Sequence, residues 1–173
     1  MTTTARATVL FMAFPSAESA GLEAWRAFRD LISRGMAAKN ESLEPVRPAM
    51  PRGGEIGIWR LLASNNREVG RSANLYGSFE AARAVVVSLQ EQSDGFEVVT
   101  FHGPSSGMHG WLVSHAGIPV LTCARWYETA SISLEVSGVA LAALRRATVT
   151  ETPWQAAAAV REARRARPAV ARW

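Results

Sequence analysis

Apolar residues in this chain fall into short alternating runs and longer helix-spaced stretches, each bounded by turn formers. Thr8 to Phe14 (TVLFMAF) is a compact apolar run closed by Pro15, which predicts a strand and is too short for a secretory h-region. Ser16 or Ser19 then caps a predicted helix reaching about Arg34. Its inner face carries Leu22, Trp25, Arg29 and Ile32, and Gly35 is placed to end it. Met36 to Gly54 holds three prolines and two glycines without a period, and reads as a linker. Ile56 to Ser64, the turn pair Asn65-Asn66 and Glu68 to Tyr76 form a predicted hairpin. Ser78 caps a helix to about Gln92 with Ala82, Val85, Val86 and Leu89 inward, and Phe96 to His102 is the next strand. A second hairpin follows, from Met108 to His115 and from Ile118 to Tyr127 around Ala116-Gly117. Thr129 caps a helix to about Arg146 with Ile132, Val136, Val139, Ala143 and Leu144 inward. Ala147 to Glu151 reads as a last short strand, and Pro153 opens an Ala/Arg-rich helix that Pro168 ends.

Two of these stretches read as one unit written twice. Shifted by 51 positions, Tyr76 falls on Tyr127, Val69 on Val120, Ala73 on Ala124 and Val85 on Val136. A repeat of this length implies a supersecondary unit that buries its apolar face against its copy. The expected class is therefore α+β. Two tandem β-β-β-α-β units share one antiparallel sheet with helices on one face, flanked by an N-terminal strand and helix and a basic C-terminal helix. The corresponding divisions are residues 1–54, a repeat region 55–151 (55–102 and 103–151), and 152–173.

The pattern resembles the YegP-like family of small bacterial proteins, whose units carry a motif of the form L-x-A-x-N-G-x-x-I-x-x-S-x-x-Y-x-[ST]. The first copy reads Leu62-Ala63-Ser64-Asn65-Asn66-Arg67-Glu68-Val69 and on to Tyr76-Gly77-Ser78. The second reads Val113-Ser114-His115-Ala116-Gly117-Ile118-Pro119-Val120 and on to Tyr127-Glu128-Thr129. The resemblance covers about Glu55 to Glu151 and implies that the last strand of each unit crosses to its partner, a place that Phe96 to His102 and Ala147 to Glu151 would fill. The helix glycine of the family is replaced by Val85 and Val136. No strand lies directly upstream of Ile56, so either Thr8 to Phe14 supplies it across an insertion or the first unit lacks it. The resemblance brings no catalytic residues.

Charge changes the picture at one end only. The chain carries 19 basic and 15 acidic residues, a net charge of +4. Seven arginines stand against Glu151 and Glu162 between residues 145 and 173, so the first 144 residues sum to about −1. Lys39 is the only lysine, an arginine bias that base composition alone can produce. The tail from Trp154 to Trp173, with Arg161, Arg164, Arg165 and Arg167, is thus the leading candidate for contact with nucleic acid, an acidic protein or, with few bulky anchors, an anionic membrane surface. No run approaches the roughly 18 apolar residues of a membrane span. The single cysteine, Cys123, points to a reducing, cytoplasmic setting.

The remaining candidates are weaker. His102, His109, His115 and Cys123 cluster in the second unit, and zinc or a thiol nucleophile is conceivable there. Their spacing matches no known finger or protease pattern, and the aligned counterpart of Cys123 is Ser72. The loop from His102 to Gly107 lacks a phosphate-loop spacing. Trp59, Trp111 and Trp126 with Tyr76 and Tyr127 can stack on bases, though burial is the expected role of both tyrosines, and Trp126 is the most exposed of the five by context. The sequence reading is a non-enzymatic binding or assembly module with no cofactor or metal. It contacts protein, a second copy or nucleic acid through an open sheet face and the tail, with Trp126 and the four tail arginines as binding residues. The alternative is a small enzyme or ligand-binding protein built on His102, His109, His115 and Cys123.

Overall fold

Alternating runs become strands and capped runs become helices, in the order β1 (Thr8–Phe14), α1 (Ala20–Lys39), β2 (Ile56–Leu62), β3 (Glu68–Ser72), α2 (Phe79–Glu91), β4 (Phe96–His102), β5 (His109–His115), β6 (Ile118–Thr122), α3 (Ala130–Arg146), β7 (Thr148–Val149) and β8 (Trp154–Gln155). The computed structural model describes residues 6–16, 18–39, 56–92, 94–105, 107–152 and 154–155. The fold is α+β, with one sheet in the order β4-β5-β6-β3-β2-β1-β7 and β8 also pairing with β1. Neighbours from β4 across to β1 are antiparallel. Both β7 and β8 run parallel to β1, so the sheet is mixed and not antiparallel as expected. The reason is the crossover: α3 carries the chain back over the sheet, and the next strand re-enters beside β1 in the same direction.

The strand partnering β2 on its outer side is β1, matched along its length from Thr8↔Leu62 to Phe14↔Ile56. β1 thus stands beside β2, and α1 lies in the excursion between them. The two hairpins turn through left-handed residues, Asn66 (φ 61°) in the first and Ala116 (φ 49°) with Gly117 (φ 76°) in the second. In the second, positive φ at both central positions suits the twist of a two-residue hairpin, whereas the first closes a three-residue loop from Ala63 to Arg67 with Asn66 at its left-handed position. Each hairpin's return strand is shorter than expected, ending at Ser72 and Thr122. Tyr76 and Tyr127 then reach back as isolated bridges to Gly57 and His109. Ser78 accepts from the Ala81 N–H at the start of α2, and Thr129 accepts from the Ile132 N–H at the start of α3. Such side-chain caps satisfy backbone donors that a first helical turn leaves open.

Side chains alternate across a strand, so β1 sorts the two sheet faces. Val9 and Phe11 join Trp59, Leu61, Trp111, Val113 and Leu121 in the main core, where Phe79 of α2 meets Phe11 edge-on at 5.0 Å. Phe14 faces the other way, with Ile56, Ile58 and Leu75, and α1 covers this cluster with Leu22 and Trp25. Helices therefore lie on both faces, α2 and α3 on one and the N-terminal α1 on the other. The cause is the excursion after Phe14, which returns an amphipathic helix to the face that α2 and α3 leave uncovered. Trp59 and Trp111 are both fully buried. Each removes about 150–250 Å² from water, worth roughly 4–6 kcal/mol at about 25 cal/mol per Å². The Trp59 indole donates to the Tyr76 hydroxyl at 3.3 Å, and Gly70 leaves room for Trp111, whose ring lies 3.2 Å from where a Cβ would stand.

Both long helices differ from expectation. α1 does not stop at Gly35 but continues to Lys39. A Cβ at Gly35 would lie 2.6 Å from Phe101 Cδ2 and 2.8 Å from the His102 carbonyl, so this glycine permits close approach to β4. The inner face of α3 is Ser133, Ser137, Ala140 and Leu144, while Ile132 and Val139 are exposed. Small residues let this helix settle close over β5, whose bulky indole already fills the space. Finally, β7 is only Thr148–Val149, and Trp154–Gln155 is a strand where the opening of the tail helix was expected. Residues 156–173 lie outside the described residues.

Candidate functional site

A groove of about 870 Å³ is built where α2 and α3 end. Gln90 near the end of α2 donates through Nε2 to the Leu144 carbonyl at 2.9 Å and to the Ala147 carbonyl at 2.8 Å. These bonds cap α3 and tie the two helix ends together. The last turn of α3 carries Arg145 and Arg146, favourably placed against the negative end of its dipole. Arg6, just before β1, and Ser64, in the first hairpin turn, complete the rim. Arg145 also lies over the Phe96 ring at 5.4 Å. Among the described residues, three arginines and no carboxylate line this groove. Such a surface attracts anions, and guanidinium groups recognise phosphate and carboxylate with two parallel donors.

The sheet face expected to be open is largely engaged by α1. Its Trp25 donates to the Ser72 carbonyl at 3.3 Å, and the buried Arg29 donates from Nε to the Ala73 carbonyl at 2.6 Å and from Nη1 to Ser33 Oγ at 2.7 Å. Burial lowers the Arg29 pKa, against an opposing pull from Asp30. Farther along this face, Glu68 accepts from Arg60 and from Arg71, both at 2.7 Å, and the Arg71 guanidinium sits 5.3 Å over the Phe28 ring of α1. That cluster is internally satisfied and ties β2, β3 and α1 together. Trp126 is half-buried, 5.3 Å from Phe28 and 6.0 Å from Phe101 between ring centroids, and it lies over Gly103 and Gly110.

The histidine and cysteine group does not form one site. His102 and His109 are direct cross-strand partners, with ring centroids 4.9 Å apart. His115 stands at the opposite end of β5, against Phe96, about 20 Å from His109 at the usual strand rise. Cys123 is fully buried, and burial pushes its thiol pKa up, away from the thiolate a nucleophile needs. Hydrogen bonds from its surroundings act the other way but are smaller. Among the described residues, no group of three or more His, Cys, Asp or Glu could hold a metal ion. Among them, too, no helix is long and apolar enough to cross a membrane.

Arg161, Arg164, Arg165 and Arg167 lie outside the described residues. The grouping of Arg6 with Arg145 and Arg146 was not legible in the sequence, because Arg6 comes from the opposite end of the chain. The excess of arginine from Arg145 onward was its one visible trace. No family model, curated protein or solved structure matches the chain.

Proposed function

We propose that the protein is a non-enzymatic binding module for nucleic acid. It holds the phosphate backbone in the groove of Arg6, Arg145 and Arg146 and adds contacts from Arg161, Arg164, Arg165 and Arg167. The observation that carries this reading is a groove of about 870 Å³ lined, among the described residues, by three arginines and no carboxylate, on a chain with a net charge of +4. The sheet face plays a structural part in this reading, since α1 and the Arg60–Glu68–Arg71 cluster engage it. A cytoplasmic setting fits a chain whose only cysteine is buried.

The scaffold beneath it we infer to be a duplicated β-β-β-α-β unit of the YegP-like kind, with a basic C-terminal helix appended. Support comes from matched details: caps at Ser78 and Thr129, bridges at Tyr76 and Tyr127, and buried indoles at Trp59 and Trp111. β1 with the β2–β3 hairpin and β4 with the β5–β6 hairpin also occupy opposite halves of the sheet.

Fluorescence anisotropy with labelled single- and double-stranded oligonucleotides tests the reading. Affinity should fall with salt between about 50 and about 200 mM, with a log–log slope of roughly −0.7 to −0.9 per phosphate contacted. The pair of changes Arg6→Glu and Arg146→Glu should weaken binding and flatten that slope, and truncation after Gln155 should weaken it independently. No binding at the lowest salt, or binding indifferent to both changes, refutes it. Capture of an acidic protein by the same arginines without nucleic-acid affinity would replace nucleic acid by protein as the partner.

A further inference from the structure

A second groove, of about 650 Å³, lies where the end of β4 meets α1 and the first turn of α3. The register of β4 on β5 places His102 opposite His109, with their rings 4.9 Å apart and tilted by 47°. Arg34 of α1 shares the groove with both imidazoles, and Leu31, Phe101 and Pro104 supply its apolar lining. Among the described residues, no carboxylate lines it. The side chains of Arg34, His102 and His109 make no hydrogen bond or ion pair with any described residue, and the two imidazoles meet only each other. Gly35 is what brings them together, since it lets α1 approach the Phe101–His102 end of β4 to a distance that a Cβ would obstruct.

We propose that this groove binds a small phosphate monoester. Its phosphoryl oxygens accept from the Arg34 guanidinium and from ring N–H groups of His102 and His109, and its organic part rests on Leu31, Phe101 and Pro104. The chemistry follows from the donors: one planar fork and two imidazoles offer several hydrogen bonds to a compact oxyanion with three terminal oxygens. The volume falls within the roughly 300–1,000 Å³ of small-molecule sites, and a mostly apolar wall with a few convergent polar groups is their usual make-up. The lining matches an organic phosphate better than a bare ion, which would leave the apolar wall wet. This site is separate from the arginine groove, so either assignment can fail without the other.

Phenyl phosphate is the probe, titrated into the full chain by calorimetry with thermal unfolding as a second readout. Saturable one-to-one binding is expected, with a rise in Tm. Arg34→Gln alone, and His102→Gln with His109→Gln, should each weaken binding about tenfold or more, the expected size for loss of a charge-assisted hydrogen bond. The unliganded Tm of these variants should stay close to the wild-type value, because the side chains have no internal hydrogen bond or ion pair to lose and the paired imidazoles lie at the sheet edge. Arg6→Glu with Arg146→Glu should leave phenyl phosphate binding unchanged. Absence of saturable binding, or affinity unmoved by both sets of groove changes, overturns the proposal. Inorganic phosphate binding as tightly as phenyl phosphate overturns the assignment of an organic ester.

Discussion

Two glycines in long helices should respond oppositely to the same substitution. At Gly138 of α3 a Cβ would meet nothing within 4 Å, so Gly138→Ala should express only helix propensity. That gain is about 1 kcal/mol, or roughly 2–4 °C in Tm for a chain of this size. At Gly35 of α1 the same propensity gain is available, but the new methyl would stand 2.6 Å from Phe101 Cδ2 and 2.8 Å from the His102 carbonyl. Phe101 is only 2% exposed and the carbonyl belongs to β4, so neither neighbour can yield cheaply. Overpacking of this kind costs about 1–3 kcal/mol, and a backbone obstruction belongs at the upper end. Gly35→Ala should therefore lose about 1–2 kcal/mol net, a fall of roughly 2–8 °C. Paired thermal and urea denaturation of the two variants measures both signs. If Gly35→Ala stabilises as Gly138→Ala does, α1 does not approach β4 as described. The small-anion groove between them would then lose its geometric basis.

Two further expectations follow from local chemistry. Ser78→Ala and Thr129→Ala each remove a side-chain cap and should each cost about 1 kcal/mol; because α2 and α3 are capped separately, the losses should add in the double variant by urea denaturation. The raised thiol pKa of Cys123 means that the unfolded chain ionises before the folded one. Stability should thus decline as pH rises above the unfolded thiol value of about 8.5. Tyr76, also raised by burial, extends the decline above about 10. Cys123→Ala should flatten the first part of that decline, and native protein should resist thiol alkylation until denatured; ready labelling in the native state would contradict the burial.

What was legible in the sequence was whatever depends on neighbours along the chain. The bounds of β4, both helix caps and both hairpin turns follow from alternation and from Ser, Thr, Asn and Gly at fixed offsets. What depends on depth was not. Ile132 and Val139 have core-like side chains at core-like spacing, yet they lie outside, and α3 turns the small Ser133, Ser137 and Ala140 inward with Leu144. Gly35 reads as a helix stop when only the chain is visible, whereas its role is defined by β4, more than 60 positions away. The same holds for the sites. Four neighbouring His and Cys residues separated once β5 was extended, while Arg34 joined His102 and His109 through a contact that no local pattern encodes.

The excursion between β1 and β2 leaves and re-enters the sheet at a single rung, Phe14↔Ile56. Closing a loop costs free energy only with the logarithm of its length, about 0.6 kcal/mol for each doubling. The 41 residues between these partners therefore cost only about 2 kcal/mol more to close than a short hairpin loop would. What the longer connection brings is the first helix, because Leu22 and Trp25 are what keep Ile56, Ile58 and Leu75 dry. A small entropic cost thus secures the cover of one end of a sheet face.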